Sequence, residues 1–210
     1  MDFSSEQYRV YVFLVIALLL LAGVGWHIWC HWKKNRHQRH VEAVIKSLGL
    51  PTLRNVVLPD GLDGLAFIDY LLLVPNGAVV LDVQFLDGNL FGGETVDQWS
   101  QVVNHRSYKF SNPLYANQGK CQAVMWNVEN LRKQLSDSDR ELPWETHGWV
   151  CFSNAGNFPK GIPEQVSMID NLASNLAPFM NNADTISAPA RKIWDELHNL
   201  SVSTRAELAQ

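Results

Sequence analysis

The segment that most restricts the fold is residues 67–85, FIDYLLLVPNGAVVLDVQF, in which two apolar, branched runs flank a Pro-Asn-Gly turn signal. Runs of this kind around a tight turn predict an antiparallel β-hairpin. If the Asn-Gly pair forms a two-residue turn, Asp69 lies opposite Gln84 and Asp82 lies diagonal to Asp69. Because side chains alternate along a strand, all three polar residues then share one face of the hairpin.

The two aspartates of this hairpin point to a particular chemistry. The opposite face is predicted to be wholly apolar, with Ile68, Tyr70, Leu72, Val79, Leu81 and Val83. Carboxylates on so apolar a strand pair are costly to bury unless they are hydrogen-bonded, protonated or bound to a cation. Asp69 and Asp82 therefore predict a divalent-metal site, or the remains of one.

A second feature, residues 10–29, is an uncharged apolar run of about twenty residues, which is long enough to cross a bilayer as a helix. Tyrosines at one end and tryptophans at the other are typical of interfacial belts. A cleaved signal peptide is the competing interpretation, but its apolar core is normally shorter and follows positive charge. Here the charge follows the run, with Arg9 alone before it and Lys33, Lys34, Arg36 and Arg39 after it.

This charge asymmetry predicts a single-pass membrane protein whose C-terminal body is cytoplasmic, by the positive-inside rule. The chain then divides into a transmembrane anchor (1–32), a basic juxtamembrane segment (33–40), a main domain (41–180) and a C-terminal helix with a tail (181–210). Three cysteines lack motif spacing, which favours reduced structural thiols and indicates no zinc site.

The body is acidic: from residue 41 onward, 12 Lys and Arg stand against 19 Asp and Glu, a net charge of −7. Nucleic-acid binding draws much of its affinity from phosphate neutralisation. The charge therefore argues against strong non-specific binding of nucleic acid by this body.

The hydrophobic pattern predicts helices around a mixed sheet, an α/β architecture. Apolar spacing in residues 114–134 predicts one helix with a core-facing stripe. Residues 94–113 are polar and are predicted to be irregular, and the last ten residues are predicted to be loose. The remaining predictions are a helix at 40–50, strands at 53–58, 148–152 and 165–169, and helices at 171–180 and 189–200.

Several landmarks in this order give the body a family resemblance. They are a glutamate on the first helix, IDYLLLVPNGAVVLDVQ, FSNPLYAN followed by a helix, and the late strand WVCFSNAG. With these, residues 42–176 resemble the nuclease-related domain (NERD) family, placed with the PD-(D/E)xK restriction-endonuclease-like nucleases. The resemblance implies a restriction-endonuclease-like mixed sheet flanked by helices, and Mg²⁺-dependent phosphodiester cleavage of DNA or RNA.

The resemblance also implies site residues. Asp69 matches the first metal ligand, and Asp82, the second ligand, stands where the family usually has glutamate. Gln84 stands where the family has a lysine, so the catalytic position carries no positive charge. Glu42 matches the family's helical glutamate, although a solvated helix charge explains it equally well.

A later family segment, N-P-x-x-Q-N followed by a histidine, is also altered. This chain has Asn112, Pro113 and Asn117 but lacks the glutamine at its usual place, unless Gln118 replaces it by a local shift, and Lys120 stands at the histidine position. Lys120 offers a replacement for the missing charge. The departures fall on the positions that do chemistry, so the site is predicted to be degenerate and cleavage impaired. An active Mg²⁺-dependent nuclease and a protein-interaction scaffold at the membrane are the alternatives.

Overall fold

The computed structural model describes residues 15, 18–21, 23, 25–26, 37–134, 143–180 and 186–208. The chain forms two compact units, Met1–Ala43 and Val44–Gln210. Most of the predicted membrane span at 10–29 lies outside the described residues. Among those that are described, none belongs to a helix with both the length and the apolar character needed to traverse a bilayer. The predicted span, its orientation and the domain boundaries stay predictions.

The described elements are helices and strands in alternating groups. They are α1 (residues 37–47), β1 (Thr52–Pro59), β2 (Leu65–Val74), β3 (Gly77–Gln84), β4 (Gly88–Phe91), β5 (Gln98–Val103), β6 (Arg106–Ser111), α2 (Pro113–Arg132), β7 (Glu145–Phe152), β8 (Gly156–Asn157), β9 (Val166–Met168), a 3₁₀ turn (Ile169–Asn171), α3 (Leu172–Met180) and α4 (Ala188–Leu208).

These strands form two mixed sheets. The first has the order β1-β2-β3-β7-β9 and the second has the order β6-β5-β4-β8. In the first sheet β2 runs antiparallel to β1 and β3, whereas β7 runs parallel to β3 and β9. Helix α2 packs mainly against β7 and also contacts β1, β2 and β3, and α4 packs against β1. The predicted α/β class, with helices flanking a mixed sheet, is confirmed.

The central hairpin forms as predicted, but its turn is displaced. Val74 pairs with Gly77, so the two-residue loop is Pro75-Asn76 rather than Asn76-Gly77. Gly77 instead begins β3 with a φ of 147°. It lies so close to β7 that a Cβ there would meet the carbonyl oxygen of Glu145 at 1.8 Å. Packing against β7 therefore fixes the turn, and only glycine fits at its end.

The displaced turn shifts the strand pairing but preserves the faces. Tyr70 pairs with Leu81, and one further step in this register sets Asp69 against Asp82 rather than Gln84. The difference from the predicted register is two residues. Because side chains alternate with a period of two, such a shift leaves each residue on its original face.

The main hydrophobic core lies between the first sheet and the helices α2 and α4. Full burial of one aliphatic side chain contributes about 1.5–3 kcal/mol, so this cluster is a large part of the fold's stability. Its strand members include Leu58, Leu71, Leu73, Ala78 and Val80, and its helix members include Val124, Val128, Ala190, Ile193 and Leu197.

Residues 94–113, predicted to be irregular, instead contain the β5–β6 hairpin. Its turn residues Asn104 and His105 have φ values of 48° and 64°, the left-handed conformation typical of tight hairpin turns. The prediction was wrong because it did not use the alternation of Tyr108 and Phe110 with polar residues. Since β6 is an edge strand whose residues are almost all exposed, this signal is limited to two aromatic residues. Trp99 of β5 is fully buried and stacks on Phe152.

The prediction of a loose C-terminus was also wrong, since α4 continues to Leu208. Its later turns bury two hydroxyl side chains, of which Ser201 bonds to β1 and Thr204 bonds within the helix. The Ser201 hydroxyl oxygen accepts a hydrogen bond from the N–H of Val57 at 3.0 Å. The Thr204 hydroxyl donates to the carbonyl oxygen of Leu200 at 2.8 Å.

We expect Gly77→Ala to lower the free energy of unfolding by more than about 1 kcal/mol, because the new Cβ clashes with backbone and the φ disfavours it. Gly119→Ala is the matched control. A Cβ at Gly119 meets no atom within 4 Å, and alanine within a helix stabilises by about 0.5–1 kcal/mol over glycine. Chemical unfolding of both variants checks this. Equal stability of the two would contradict the account of the turn.

Candidate functional site

The carboxylate of Asp82 is the central group of the site. Asp82 lies on β3 and is only 3% exposed. One of its oxygens, Oδ1, accepts a hydrogen bond from Lys120 Nζ at 2.7 Å. The other, Oδ2, accepts one from Asn117 Nδ2 at 3.2 Å. Both oxygens of this buried carboxylate are therefore bound by donors from α2.

The start of α2 determines where these donors lie. Asn112 caps the helix, because its side-chain oxygen accepts the N–H of Leu114 at 2.9 Å, and Pro113 occupies the first turn. The Asn112 amide also donates to the carbonyl oxygens of Gly93, Glu94 and Val96. The Asn-Pro pair thus fixes the helix end against a loop, and the helical turn then presents Asn117 and Lys120 to β3.

Asn117 is held in place by several contacts. It is 2% exposed, and its Nδ2 also lies within hydrogen-bonding distance of the carbonyl oxygens of Val80, at 3.2 Å, and Trp149, at 3.4 Å. Gly148 on β7 makes this approach possible, since a Cβ there would lie 2.1 Å from Asn117 Oδ1. A glycine on the neighbouring strand is therefore part of the site's construction.

Asp69 lies on β2 and is half-buried. Its Oδ2 accepts the N–H of Val83 at 2.8 Å, so its side chain reaches across to β3 beside Asp82. Burial raises the pKa of Asp69, and the charge of Asp82 raises it further. The Val83 hydrogen bond and the charge of Lys120 lower the same pKa in part. Asp82 thus interacts with Asp69, Asn117 and Lys120, and we call these four residues the carboxylate site.

Cys121 borders this site. Its thiol contacts Asn117 Oδ1 at 3.8 Å. Burial, followed by the charge of Asp82, raises the pKa of the Cys121 thiol to about 12. Since the thiolate is the reactive form, Cys121 is not a nucleophile at neutral pH.

The other two predicted site residues, Gln84 and Glu42, are not among the four residues of the carboxylate site. Gln84 ends β3 two residues after Asp82, on the same side of the strand, and is half-buried. Its backbone carbonyl accepts the N–H of Ser153 at 3.0 Å. Glu42 lies on α1 within the Met1–Ala43 unit, whereas the aspartates belong to Val44–Gln210. The site roles of Asp69, Asp82, Gln84 and Glu42 stay predictions.

The carboxylate site does not fit Mg²⁺ as it is arranged. Mg²⁺ takes oxygen ligands in near-octahedral geometry, and an ammonium in contact with a ligand carboxylate repels a divalent ion there. Both oxygens of Asp82 already accept hydrogen bonds, one of them from a cation, and one oxygen of Asp69 accepts a backbone N–H. Over the ranges that the structure describes, no three or more His, Cys, Asp or Glu side chains gather where they could hold a metal ion. An ion would have to displace Lys120.

Comparison with known families places this geometry in context. The family model described as nuclease-related domain matches residues 33–153, which is more than half of the chain. The chain belongs to the nuclease-related domain family. The match covers both aspartates, Gln84, the Asn-Pro pair and Lys120.

A relative is also found. An uncharacterised protein of Bacillus anthracis, pXO1-01, is 22% identical over 127 residues, which cover 58% of this chain. The chain spans 60% of that relative's length. No solved structure matches the chain.

Sequence reasoning noted Asn117 only as part of a motif and gave it no role. A signal was present, because Asn117, Cys121, Val124 and Val128 recur at helical spacing, and all but the half-buried Cys121 are buried on α2. A polar residue on a buried stripe indicates a hydrogen-bonded partner. Gly148 had no comparable signal, since its importance depends on a contact with another element.

We expect Asp69→Asn to raise the melting temperature at neutral pH. A carboxyl whose folded-state pKa is raised favours folding when protonated, and this stability is lost as the pH rises through the folded-state pKa. Asparagine mimics the protonated form, so its advantage should be present at pH 7 and vanish below the ordinary pKa of 3.8. Thermal unfolding across this pH range checks it. A gain that persists unchanged in acid would contradict the raised pKa of Asp69.

Proposed function

We propose that this chain is a membrane-anchored, cytoplasmic member of the nuclease-related domain family with a restriction-endonuclease-like site that is impaired for Mg²⁺-dependent cleavage of nucleic acid. The observation that carries the proposal is the contact between Lys120 Nζ and Asp82 Oδ1 at 2.7 Å. A ligand already paired with an ammonium is a poor partner for a divalent cation. Gln84 adds to this, because an amide supplies no positive charge to a developing phosphate charge.

The net charge of the body bears on whether its partner is a protein or a nucleic acid. The body of the chain carries a net charge of −7 from residue 41 onward. Such a surface repels polyphosphates over several ångströms at physiological ionic strength. This favours a protein partner at the membrane over non-specific binding of DNA or RNA. A domain that keeps a nuclease-like scaffold without cleavage suits such an interaction role.

An active Mg²⁺-dependent nuclease is the second candidate, and Lys120 favours it as well. Its ammonium lies beside both predicted metal ligands, so it places a positive charge in the site despite the glutamine at position 84. In this interpretation Asp69 and Asp82 hold the ion after Lys120 has moved. Cleavage assays separate the two candidates.

For the nuclease test, we expect full-length wild type, with Mg²⁺ or Mn²⁺, to cut DNA and RNA no faster than Asp69→Ala. The double variant Asp82→Glu, Gln84→Lys restores the residues that the family has at these two positions. It should be assayed alone and as a triple variant with Lys120→Gln. Since one preorganised electrostatic contact is worth about 10²–10³ in rate, the triple variant should exceed wild type by at least about tenfold. Wild-type cleavage that EDTA and Asp69→Ala both abolish would establish the second candidate instead.

The anchor is tested separately. Because the apolar run at 10–29 is followed by four basic residues within positions 33–39, we expect the full chain to stay in the membrane fraction after alkaline carbonate extraction. A C-terminal tag should be protected from protease added to intact spheroplasts. Release of the chain by carbonate would contradict the proposed membrane anchor. Digestion of the tag would show that the C-terminal body lies on the opposite side of the membrane from the one proposed.

A further inference from the structure

The carboxylate site contains two carboxylates and one ammonium, and this charge balance bears on whether the site can bind a metal ion. Asp82 is almost fully buried, and a buried carboxylate is stable only when paired and hydrogen-bonded. The pairing is provided within the chain: the Lys120 side chain is 24% exposed, and the Asp82 side chain with which it pairs is 4% exposed. Asp69 adds a second carboxylate to the same site. Two carboxylates this close favour a cation between them.

The ammonium of Lys120 acts on both carboxylates. It contacts Asp82 directly, and its charge opposes the raised pKa of Asp69. A divalent ion held by these two aspartates would bind a carboxylate that Lys120 already contacts at 2.7 Å. Two cations within a few ångströms of each other in a partly buried site repel strongly.

The remaining donor makes the arrangement rigid. The amide of Asn117 has hydrogen-bonding partners on β3 and β7 and is enclosed beside Gly148. It cannot turn its donor away from Asp82 without losing these contacts. Lys120 is different, because its long, flexible side chain is 24% exposed, so that glutamine can occupy its place without entering the space between the strands, although Asp82 then lacks its counter-ion.

We infer that Lys120 is a built-in counter-ion that takes the place of a divalent cation at Asp69 and Asp82, so that its removal converts the carboxylate site into a divalent-metal site. The inference rests on the proposed function, since it gives the reason for the impairment. It also assigns Lys120 a role distinct from a catalytic one, because its charge satisfies the aspartates instead of meeting a substrate.

The experiment is a titration of the full-length chain in detergent micelles with MnCl₂ and with MgCl₂, followed by tryptophan fluorescence during thermal unfolding. We expect no metal-dependent shift for wild type or for Lys120→Arg, which keeps the charge. Lys120→Gln should be stabilised by Mn²⁺. Its shift should be half-complete at a Mn²⁺ concentration at least about tenfold below the highest concentration at which wild type still shows no shift, because the repulsion between Mn²⁺ and one nearby positive charge is worth more than a factor of ten in affinity.

Asp69→Asn combined with Lys120→Gln is the control for location, and its response to Mn²⁺ should be lost. Mn²⁺-dependent stabilisation of wild type that Asp69→Asn abolishes would overturn the inference, as would a folded Lys120→Gln variant that binds no metal. If Lys120→Gln folds only when Mn²⁺ is added, the metal has replaced the ammonium and the inference stands. If it folds under neither condition, the metal does not replace the ammonium and the inference fails.

Binding and cleavage separate this inference from the proposed function. Wild type that binds Mn²⁺ through Asp69 but does not cleave would overturn the counter-ion role and leave the impaired nuclease intact. Wild type that binds the metal and cleaves would overturn both. Wild type that neither binds nor cleaves, with a Lys120→Gln variant that binds, supports both.

Discussion

The buried carboxylate of Asp82 is the constraint around which the rest of the site is arranged. A charged group that is 3% exposed requires partners, and both partners come from α2. Loss of one partner of a buried ion pair typically costs about 3–5 kcal/mol, because it leaves an uncompensated charge. The position of α2 on β3 is therefore tied to this pair as well as to apolar packing. The Asn112 cap and Gly148 serve the same arrangement, one by fixing the helix start and the other by leaving room for Asn117.

The contact between Lys120 and Asp82 also shows which features this chain shares with its family and which it does not. The chain belongs to the nuclease-related domain family, and its aspartates lie on neighbouring strands of a mixed sheet. What differs is the charge at each position around them. A lysine on the helix approaches from above the sheet, whereas the strand position that the family fills with lysine carries Gln84. The positive charge in this site thus comes from Lys120, which contacts Asp82 directly, and both oxygens of that carboxylate accept hydrogen bonds from α2.

The central hairpin shows how much of the site was predictable and how far the prediction held. The turn was placed one residue too late, because Gly77 is needed inside β3 beside Glu145. The face of each aspartate survived this error, since the register moved by two residues and alternation has the same period. The β5–β6 hairpin was missed for the opposite reason. Its outer strand is largely exposed, so the apolar alternation there is limited to Tyr108 and Phe110, and Phe110 packs against the buried Trp99 of β5.

The sequence by itself determined the α/β class, the hairpin, the apolar stripe of α2 and the family, because each depends on short-range periodicity or on an ordered set of local motifs. The tertiary structure alone decided the contact between Lys120 and Asp82, which are 38 positions apart, and the room that Gly148 gives to Asn117. It also decided that α4 continues past residue 200, through a hydroxyl that meets Val57 on β1. These contacts join side chains from different elements. Their formation depends on how a helix is seated on a sheet, and no local pattern in the chain encodes that placement.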